Sequence, residues 1–249
     1  MSINRYQEEI SFHDKRFGKN DDLRKRTRKY YSIAINARNK FQELIFQVCN
    51  GRNLLEYGCG TGNSSLEWIN HGAKLTGIDI FPEGIKKARA KVNSYGQKAN
   101  FYVMNAEKTD FVDEYFDTII GSGILHHLDL NKSYAELARI LNLNGRAIFL
   151  EPLGRNPLIN LYRKFTPSLR TKNEHPLNEK DIKLAKQYFK QVETYYYNLF
   201  TLFSVPFKNT FLFNPLFNFF QVIDNFLFRI PPLRKYAWMV ILCLNKPIK

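Results

Sequence analysis

Residues 54–62 read L-L-E-Y-G-C-G-T-G, and this stretch decides the fold. Its two leucines end a short apolar run that predicts a buried strand. Glycines then occupy three alternate positions, Gly58, Gly60 and Gly62. Glycine lets the backbone turn sharply without a Cβ clash, and a helix that follows presents unpaired N–H groups at its start. The stretch therefore predicts a strand, a ligand-binding turn and a helix.

The spacing of the glycines argues against NAD as the ligand. The dinucleotide fingerprint is G-x-G-x-x-G, and here the third glycine comes one residue early. A second apolar run, residues 75–80, carries Asp79 near its end, about 20 residues beyond the glycines. In a βαβ unit, a carboxylate at that place can bind both hydroxyls of a ribose. The two features together predict a nucleoside ligand.

The glycine loop and this acid resemble those of the class I S-adenosylmethionine-dependent methyltransferases. The matching residues are E-Y-G-C-G-T-G at 56–62 and G-I-D-I at 77–80. Residues 53–151 carry the resemblance, and the remainder, including E-P-L-G-R-N-P-L from Glu151, looks like small bacterial methyltransferases of the type-11 group. The resemblance implies S-adenosylmethionine as the cofactor.

Apolar runs and helical periodicities alternate along the chain, which predicts a parallel sheet with ligands outside the carboxyl ends of its strands. We expect an α/β, Rossmann-like, seven-stranded and mostly parallel sheet, with helices on both faces and helical lid inserts. The strands are predicted at 53–57, 74–80, 101–104, 116–120, 146–150, 191–203 and 238–244. One domain, 1–249, would comprise a helical cap (1–50), a cofactor-binding core (51–151) and substrate-lid inserts (152–180 and 205–236).

The resemblance implies roles for the residues at the first two strand ends. Asp79 takes the ribose hydroxyls, Ile80 packs against the adenine, and Glu56 holds the amino group of the cofactor or orders the loop. The loop backbone flanks the methionine and ribose parts through Gly58, Cys59, Gly60 and Gly62.

The third and fourth strand ends complete the implied cofactor site. Ala106 and Glu107 lie beside the adenine, and many relatives have Asp where this chain has Asn105. The amide oxygen of Asn105 can still accept a hydrogen bond from the adenine amino group. Gly121 and Ser122 begin the tip of the fourth strand.

A hydroxyl acceptor would require a general base, for which histidine is the usual choice. The candidates are His126, His127, His175 and Glu151. In the resembled family, a histidine after the fourth strand faces the cofactor or the acceptor. We expect His126 to be the more exposed of the pair, although alternation at a strand tip does not decide which one faces inward. Each candidate also has a structural alternative: a packed cap, a loop histidine, or a carboxylate that bonds a neighbouring loop.

The two inserts carry the candidates for acceptor binding. Arg155, Arg163 and Arg170 suit a phosphate or a carboxylate, or pair with nearby glutamates. Tyr31 reaches the active site or packs on the edge of the sheet. The phenylalanine-rich insert walls an apolar pocket, docks on a membrane, forms a dimer face, or packs on the domain.

Composition narrows the class of protein. The 249 residues carry a formal net charge of +14, a basic balance that suits nucleic acid, an anionic membrane or an acidic substrate, or simply solubilises a helix face. Three widely spaced cysteines form no disulfide or zinc pattern, and residues 1–10 lack a signal-peptide core. We expect a cytoplasmic monomer or homodimer without a metal.

These observations predict an S-adenosylmethionine-dependent methyltransferase that acts on a small molecule, with oxygen as the expected acceptor atom. A lipid or quinone, a sugar precursor and a specialised metabolite all suit the inserts. We expect no nucleic-acid partner, because an N-P-P-Y-like tip is missing after the fourth strand. Two rivals are an RNA-directed methyltransferase, which the charge favours, and a binding module or NAD enzyme that uses the same turn.

Overall fold

The computed structural model describes residues 32–167 and 174–249. Short 3-10 helices at Ser32–Ala34, Leu125–His127, Ala185–Gln187, Phe200–Phe207 and Pro231–Tyr236 connect the longer elements. Those elements are, in chain order, α1 (Ile35–Cys49), β1 (Asn53–Tyr57), α2 (Ser65–Asn70), β2 (Lys74–Asp79), α3 (Pro82–Ser94), β3 (Asn100–Val103), β4 (Phe116–Ser122), α4 (Leu130–Ile140), β5 (Leu141–Pro152), α5 (Pro157–Phe165), α6 (Glu179–Leu184), β6 (Phe189–Tyr197), α7 (Phe213–Leu227) and β7 (Met239–Pro247).

Seven strands form one sheet in the order β3-β2-β1-β4-β5-β7-β6. The first five in that order are parallel, and β7 runs antiparallel to both of its neighbours. The predicted seven-stranded, mostly parallel sheet is therefore confirmed. Strand order reverses between β1 and β4, and such a switch point is where open α/β sheets bind ligands.

Both faces of the sheet are covered by buried side chains. Neighbouring residues of one strand, such as Leu54 and Leu55, enter two different apolar clusters. Because successive strand side chains point to opposite faces, the two clusters lie on opposite sides of the sheet. This arrangement explains why the strands read as continuous apolar runs rather than as alternating patterns.

Both inserts lie at the edge of the sheet where the parallel strands end. The first leaves β5 after Pro152, and the second joins the end of β6 to the start of β7. Trp238 fixes this junction, because its N–H donates to Tyr197 O (3.1 Å) and its carbonyl accepts from Leu153 N–H (2.7 Å). Whatever the inserts bind is thus brought to the edge that bears the switch point.

Two predicted strand boundaries were wrong. The fifth strand begins at Leu141 rather than after a turn at 144–145, because it pairs with β4 from Phe116 onward. The sixth ends at Tyr197 rather than at 203, because Asp224 accepts from the backbone N–H groups of residues 199–201. Those contacts start a 3-10 helix in place of a longer strand.

Candidate cofactor-binding site

A cavity of about 200 Å³ lies at the carboxyl ends of β1, β2 and β4. Its walls combine bare backbone, one carboxylate, one imidazole and several apolar side chains. The lining residues are Gly58, Gly60, Ile78, Asp79, Ile80, Phe81, Met104, Ala106, Ser122, Gly123, Ile124, His127 and Leu128. The cavity therefore offers both polar groups and apolar walls to a ligand of nucleoside type.

The glycine loop serves two different purposes. Gly60 has φ +54°, and a Cβ added there would meet nothing within 4 Å, so its backbone faces open space. Gly62 has φ +66°, and an added Cβ would lie 2.9 Å from the Cβ of Ala88 in α3. Gly60 thus leaves room beside the cavity, whereas Gly62 allows α3 to pack against the loop.

Asp79 joins the loop to the end of β2. Its Oδ2 accepts from Gly60 N–H (2.7 Å), and its Oδ1 accepts from Phe81 N–H (3.0 Å). Loss of hydration raises the pKa of this carboxyl, and the three backbone N–H groups around it and His127 oppose that rise. A carboxylate offers about four acceptor positions, so Asp79 can still receive a further donor from a ligand.

Glu56 lies among packed side chains beside α2. It is buried, and its Oε2 accepts from Ser65 Oγ. Burial raises the pKa of Glu56 to about 7, against hydrogen bonds from Ser65 and Trp68 that lower it. Of the two roles expected for Glu56, these contacts favour ordering of the loop. Cys59 is also buried, with its Sγ facing Gly77.

A side chain of β1 holds the segment that follows β3. Tyr57 is buried and its hydroxyl donates to Ala106 O, which fixes Ala106 at the cavity wall. The side chain of Asn105 accepts from Glu107 N–H (2.9 Å), and Glu107 accepts from Asp129 N–H (2.9 Å) at the start of α4. Among the described residues, Ala106 alone of the three predicted here lines the cavity.

Glu151 fixes the tip after β4. Its side chain is fully buried, and its Oε1 accepts from the N–H groups of Ile124 and Leu125 (2.9 Å each). Its Oε2 lies 2.7 Å from His126 Nδ1. Glu151, one of the candidate general bases, thus has the contacts of its structural alternative: it bonds the turn between Ser122 and Leu128, which contributes several residues to the cavity. Gly121 packs tightly on Phe149 under the same turn.

The two adjacent histidines have different surroundings. His126 is only 8% exposed and is turned toward Glu151, whereas the half-buried His127 lines the cavity. The expectation that His126 would be the more exposed of the two was wrong, because Glu151 on β5 draws its ring inward. His175 also lies outside the cavity lining: its side chain is exposed and its Nε2 is 3.4 Å from Asp181 Oδ2.

The arginines of the first insert pair with glutamates. Arg155 Nε lies 3.3 Å from Glu179, and an Arg163 amino nitrogen lies 3.4 Å from Glu174. The alternative of local ion pairs therefore describes these two side chains. The other residues predicted to bind the acceptor, Tyr31 and Arg170, lie outside the described residues.

Several cavity residues were missed by the sequence analysis. They share one signal, which is that each is an apolar residue or a glycine within six residues of the end of a strand whose tip also holds predicted site residues. They are Phe81, Met104, Gly123, Ile124 and Leu128.

The described residues suit a nucleoside cofactor. Gly60 leaves a space that a Cβ would fill, and Asp79 presents a partly exposed carboxylate beside it. Ile80 and Met104 supply apolar surface for a flat base. This donor set fits S-adenosylmethionine, whose adenosine needs an acceptor for its ribose hydroxyls and an apolar slot for its base.

Comparison with known proteins agrees with this geometry. A family model described as a methyltransferase domain matches residues 55–149. Phosphatidylethanolamine N-methyltransferase of Cereibacter sphaeroides is 28% identical over 159 residues, which cover 62% of this chain and 70% of that protein. Demethylmenaquinone methyltransferase of Chlorobaculum parvum is 33% identical over 109 residues, which cover 43% of this chain and 44% of that protein. The second match thus spans less than half of either protein.

Solved structures share the fold at low sequence identity. Geranyl diphosphate C-methyltransferase from Streptomyces coelicolor A3(2), crystallised with Mg²⁺, geranyl diphosphate and S-adenosyl-L-homocysteine, superposes with a TM-score of 0.61 at 12% identity. That match covers 85% of this chain and 80% of the other. Phospholethanolamine N-methyltransferase 2 of Haemonchus contortus gives a TM-score of 0.58 at 15% identity, covering 80% of this chain and 50% of the other.

The family model begins within β1 and ends within β5, so it spans every residue that lines the cavity. The sheet that carries this segment continues through β7 and β6, and the neighbours of known structure cover 80–85% of the chain. Residues 55–149 thus match a methyltransferase domain, in a fold that the chain shares with S-adenosylmethionine-dependent methyltransferases and around a cavity whose chemistry suits that cofactor.

Proposed function

We propose that the protein transfers a methyl group from S-adenosylmethionine to an oxygen atom of a small, largely apolar molecule. The observation that carries the proposal is that the glycine loop, Asp79 and His127 line one cavity. An imidazole beside the groups suited to the cofactor supports the proposal, because methylation of a hydroxyl needs a proton acceptor.

Each of these groups has a proposed role in binding. Asp79 would accept from the ribose hydroxyls, and Ile80 and Met104 would pack against the adenine. The cofactor supplies a methyl group on a positively charged sulfur, which is reactive without help from the protein. The chain's own contribution is therefore to hold the acceptor in line and to exclude water from the cavity.

His127 is the proposed general base. Its ring would take the proton of the acceptor hydroxyl on an imidazole nitrogen as the oxygen gains its methyl group. His126 and Glu151 would act as positioning residues, because their contact and the two backbone N–H groups bound by Glu151 hold the turn that carries His127.

The acceptor is proposed to be apolar because of the insert between β6 and β7. This insert lies at the same edge as the cavity and is rich in phenylalanine. The names of two relatives also support an apolar acceptor, since one is named for phosphatidylethanolamine and the other for demethylmenaquinone. Lipid-soluble acceptors, quinols and phenols among them, are therefore the first to test.

The test uses the full chain, S-adenosylmethionine with a labelled methyl group, and a panel of long-chain phenols, quinols, sugars and phosphatidylethanolamine. We expect label on the oxygen of a phenol or quinol. His127→Ala should lower kcat by about 100-fold or more with little change in cofactor affinity, because a general base contributes 10² to 10⁴. His175→Ala, at an exposed histidine, is the matched control and should retain activity.

Methylation of an amine in a lipid headgroup is a second candidate. It is favoured by the match to phosphatidylethanolamine N-methyltransferase, which covers 70% of that protein. Label on phosphatidylethanolamine nitrogen, together with an unaltered kcat in His127→Ala, would replace the proposal of an oxygen acceptor by this one.

A further inference from the structure

Helix α7 has an unusual surface for an outer helix. Its sequence, F-N-P-L-F-N-F-F-Q-V-I-D-N-F-L, contains no lysine, arginine or glutamate, and its one charged residue, Asp224, is buried. Outer helices normally place charged residues opposite the core-facing stripe, and a helix that is apolar on all sides is normally buried. Helix α7 therefore exposes no charged side chain, and Asn214, Asn218 and Asn225 lie among its exposed apolar residues.

Two opposite stripes run along this helix. Phe217, Asp224 and Phe228 are buried and form the stripe, with its extension just past the helix end, that faces the domain. Phe219, Val222 and Phe226 are 61%, 69% and 64% exposed, and their spacing of three and four residues places them on one face. The outward stripe thus carries three large apolar side chains, with Asn218 and Asn225 between them.

The neighbouring 3-10 helix enlarges this surface. Phe203 is exposed and its ring lies 5.9 Å from that of Phe220, and Phe207 and Phe211 are exposed as the chain continues into α7. We call the surface formed by Phe203, Phe207, Phe211, Phe219, Val222 and Phe226 the phenylalanine face. Exposed groups of large apolar side chains mark protein or membrane interaction sites.

The exposed charges of the insert that carries the phenylalanine face are all of one sign. Between residues 199 and 236 the chain carries Lys208, Arg229, Arg234 and Lys235, and its one acid, Asp224, is buried and bonded to backbone. An exposed apolar face with basic residues at its margin is the chemistry of segments that lie in the interface of an anionic bilayer. Within the described residues, no helix is both long enough and apolar enough to cross a bilayer.

We propose that the phenylalanine face docks on the surface of an anionic lipid bilayer. The aromatic side chains would enter the boundary between headgroups and acyl chains, and Lys208 and Arg229 would contact acidic headgroups. Docking would place the edge of the sheet that bears the cofactor cavity next to the membrane, because the insert lies at that edge. The inference concerns binding alone, so it goes beyond the proposed methyl transfer and does not depend on it.

Sedimentation with vesicles tests the proposal directly and needs no cofactor. The full chain should bind vesicles made of equal parts phosphatidylcholine and phosphatidylglycerol, and bind phosphatidylcholine alone more weakly. Phe219→Ser/Phe226→Ser should lower partitioning to the anionic vesicles by at least about tenfold, as expected when two large apolar side chains no longer leave water. Tyr95→Ser/Val112→Ser, at residues 69% and 66% exposed outside the insert, is the matched control and should partition like the unaltered chain.

A second variant tests the role of charge. Lys208→Gln/Arg229→Gln should remove most of the preference for anionic vesicles, and added salt should do the same for the unaltered chain. Circular dichroism of each variant checks that the fold is retained. The proposal is overturned if the unaltered chain stays in solution or if the phenylalanine variant binds vesicles as well as the control. A dimer in solution that this variant dissociates, without any vesicle binding, would instead identify a second copy as the occupant.

Discussion

The side chain of Asp79 links the glycine loop to the end of β2, and the two together form one wall of the cavity. It accepts from Gly60 and Phe81 and still faces the cavity. Asp79→Ala should weaken binding of S-adenosylhomocysteine by at least ~1 kcal/mol, because hydrogen bonds to a charged group are lost. Titration calorimetry measures this change, with Asp110→Asn at an exposed site of a neighbouring loop as the control. Unchanged affinity in Asp79→Ala would refute the ribose role.

Glu56 makes the stability of the folded protein depend on pH in a predictable direction. Its pKa rises from 4.5 to about 7 on folding, so between these values the folded chain binds a proton that the unfolded chain has lost. The contribution of Glu56 to the free energy of unfolding therefore falls as the pH rises from about 4.5 to about 7, by on the order of 3 kcal/mol at most. Glu56→Gln keeps an acceptor for Ser65 and removes the titration.

The measurement for Glu56 is thermal unfolding at several pH values. The melting temperature of Glu56→Gln relative to the unaltered chain should increase from pH 5 to pH 8. Glu43→Gln, at an exposed position of α1, is the control. A constant difference across this range would show that the buried carboxyl does not titrate as described.

Glu151 combines three contacts that only a carboxylate at this place can make together. Glu151→Ala would leave the N–H groups of Ile124 and Leu125 and the ring of His126 without their acceptor inside the fold. We expect the free energy of unfolding to fall by at least about 2 kcal/mol, since buried donors without partners cost about 1–3 kcal/mol each. Urea denaturation measures it. Glu151→Gln, which keeps one acceptor oxygen, should lose less, and equal losses would contradict this explanation.

The residues of the first loop could be predicted because their reasons are local. The alternate glycines and the acid at the end of the next strand each lie within a short stretch of sequence. The structure brings Gly58, Gly60 and Asp79 to one cavity. The sequence could not show which of the two histidines lines the cavity. That outcome depends on Glu151, which lies 25 residues from His126 on another strand and contacts its ring. Long-range contacts of single side chains leave no periodic signal.

Among the elements, the insert between β6 and β7 depends on one buried acid. Asp224 accepts from the N–H groups of Leu199, Phe200 and Thr201 and from the Thr201 hydroxyl (2.9 Å). It thereby joins α7 to the start of the preceding 3-10 helix. A carboxylate that caps several backbone donors at a helix start stabilises that end.

Asp224→Ala should therefore loosen the insert and leave the cofactor cavity in place. We expect a loss of about 2 kcal/mol in unfolding free energy and faster hydrogen exchange at the amides of residues 199–201. Affinity for S-adenosylhomocysteine should stay the same. Asn225→Ala changes the adjacent, exposed residue and is the control. Full protection of these amides in Asp224→Ala would show that other contacts hold the insert.

The boundaries of the strands show which features of the elements could be predicted from the sequence and which could not. Strands β1, β2 and β4 were located within two residues, because apolar runs bounded by turn residues define them. The end of strand β6 was predicted six residues too late, because its aromatic sequence continues past Tyr197 into the segment that Asp224 caps. An aromatic run favours a strand only when nothing else binds its backbone N–H groups.

For the whole molecule, the sheet order brings the residues that line the cavity and the attachment points of both inserts to one edge. The cavity lies at the carboxyl ends of β1, β2 and β4, and both inserts leave the sheet at that edge. Cofactor and acceptor would thus meet between the cradle, which lies within the segment that matches the methyltransferase domain, and the inserts, which lie outside that segment. The sequence predicted the first because the family shares it, and could not predict the acceptor, because acceptor binding depends on how two inserts pack.

The most direct measurement is calorimetric titration of the full chain with S-adenosylhomocysteine and, separately, with NAD. We predict saturable binding of S-adenosylhomocysteine at one site per chain, weakened in Asp79→Ala, and no binding of NAD, because the third glycine of the loop is one residue too early for a dinucleotide. Binding of NAD, or of neither ligand, would contradict the assignment of this cavity to S-adenosylmethionine.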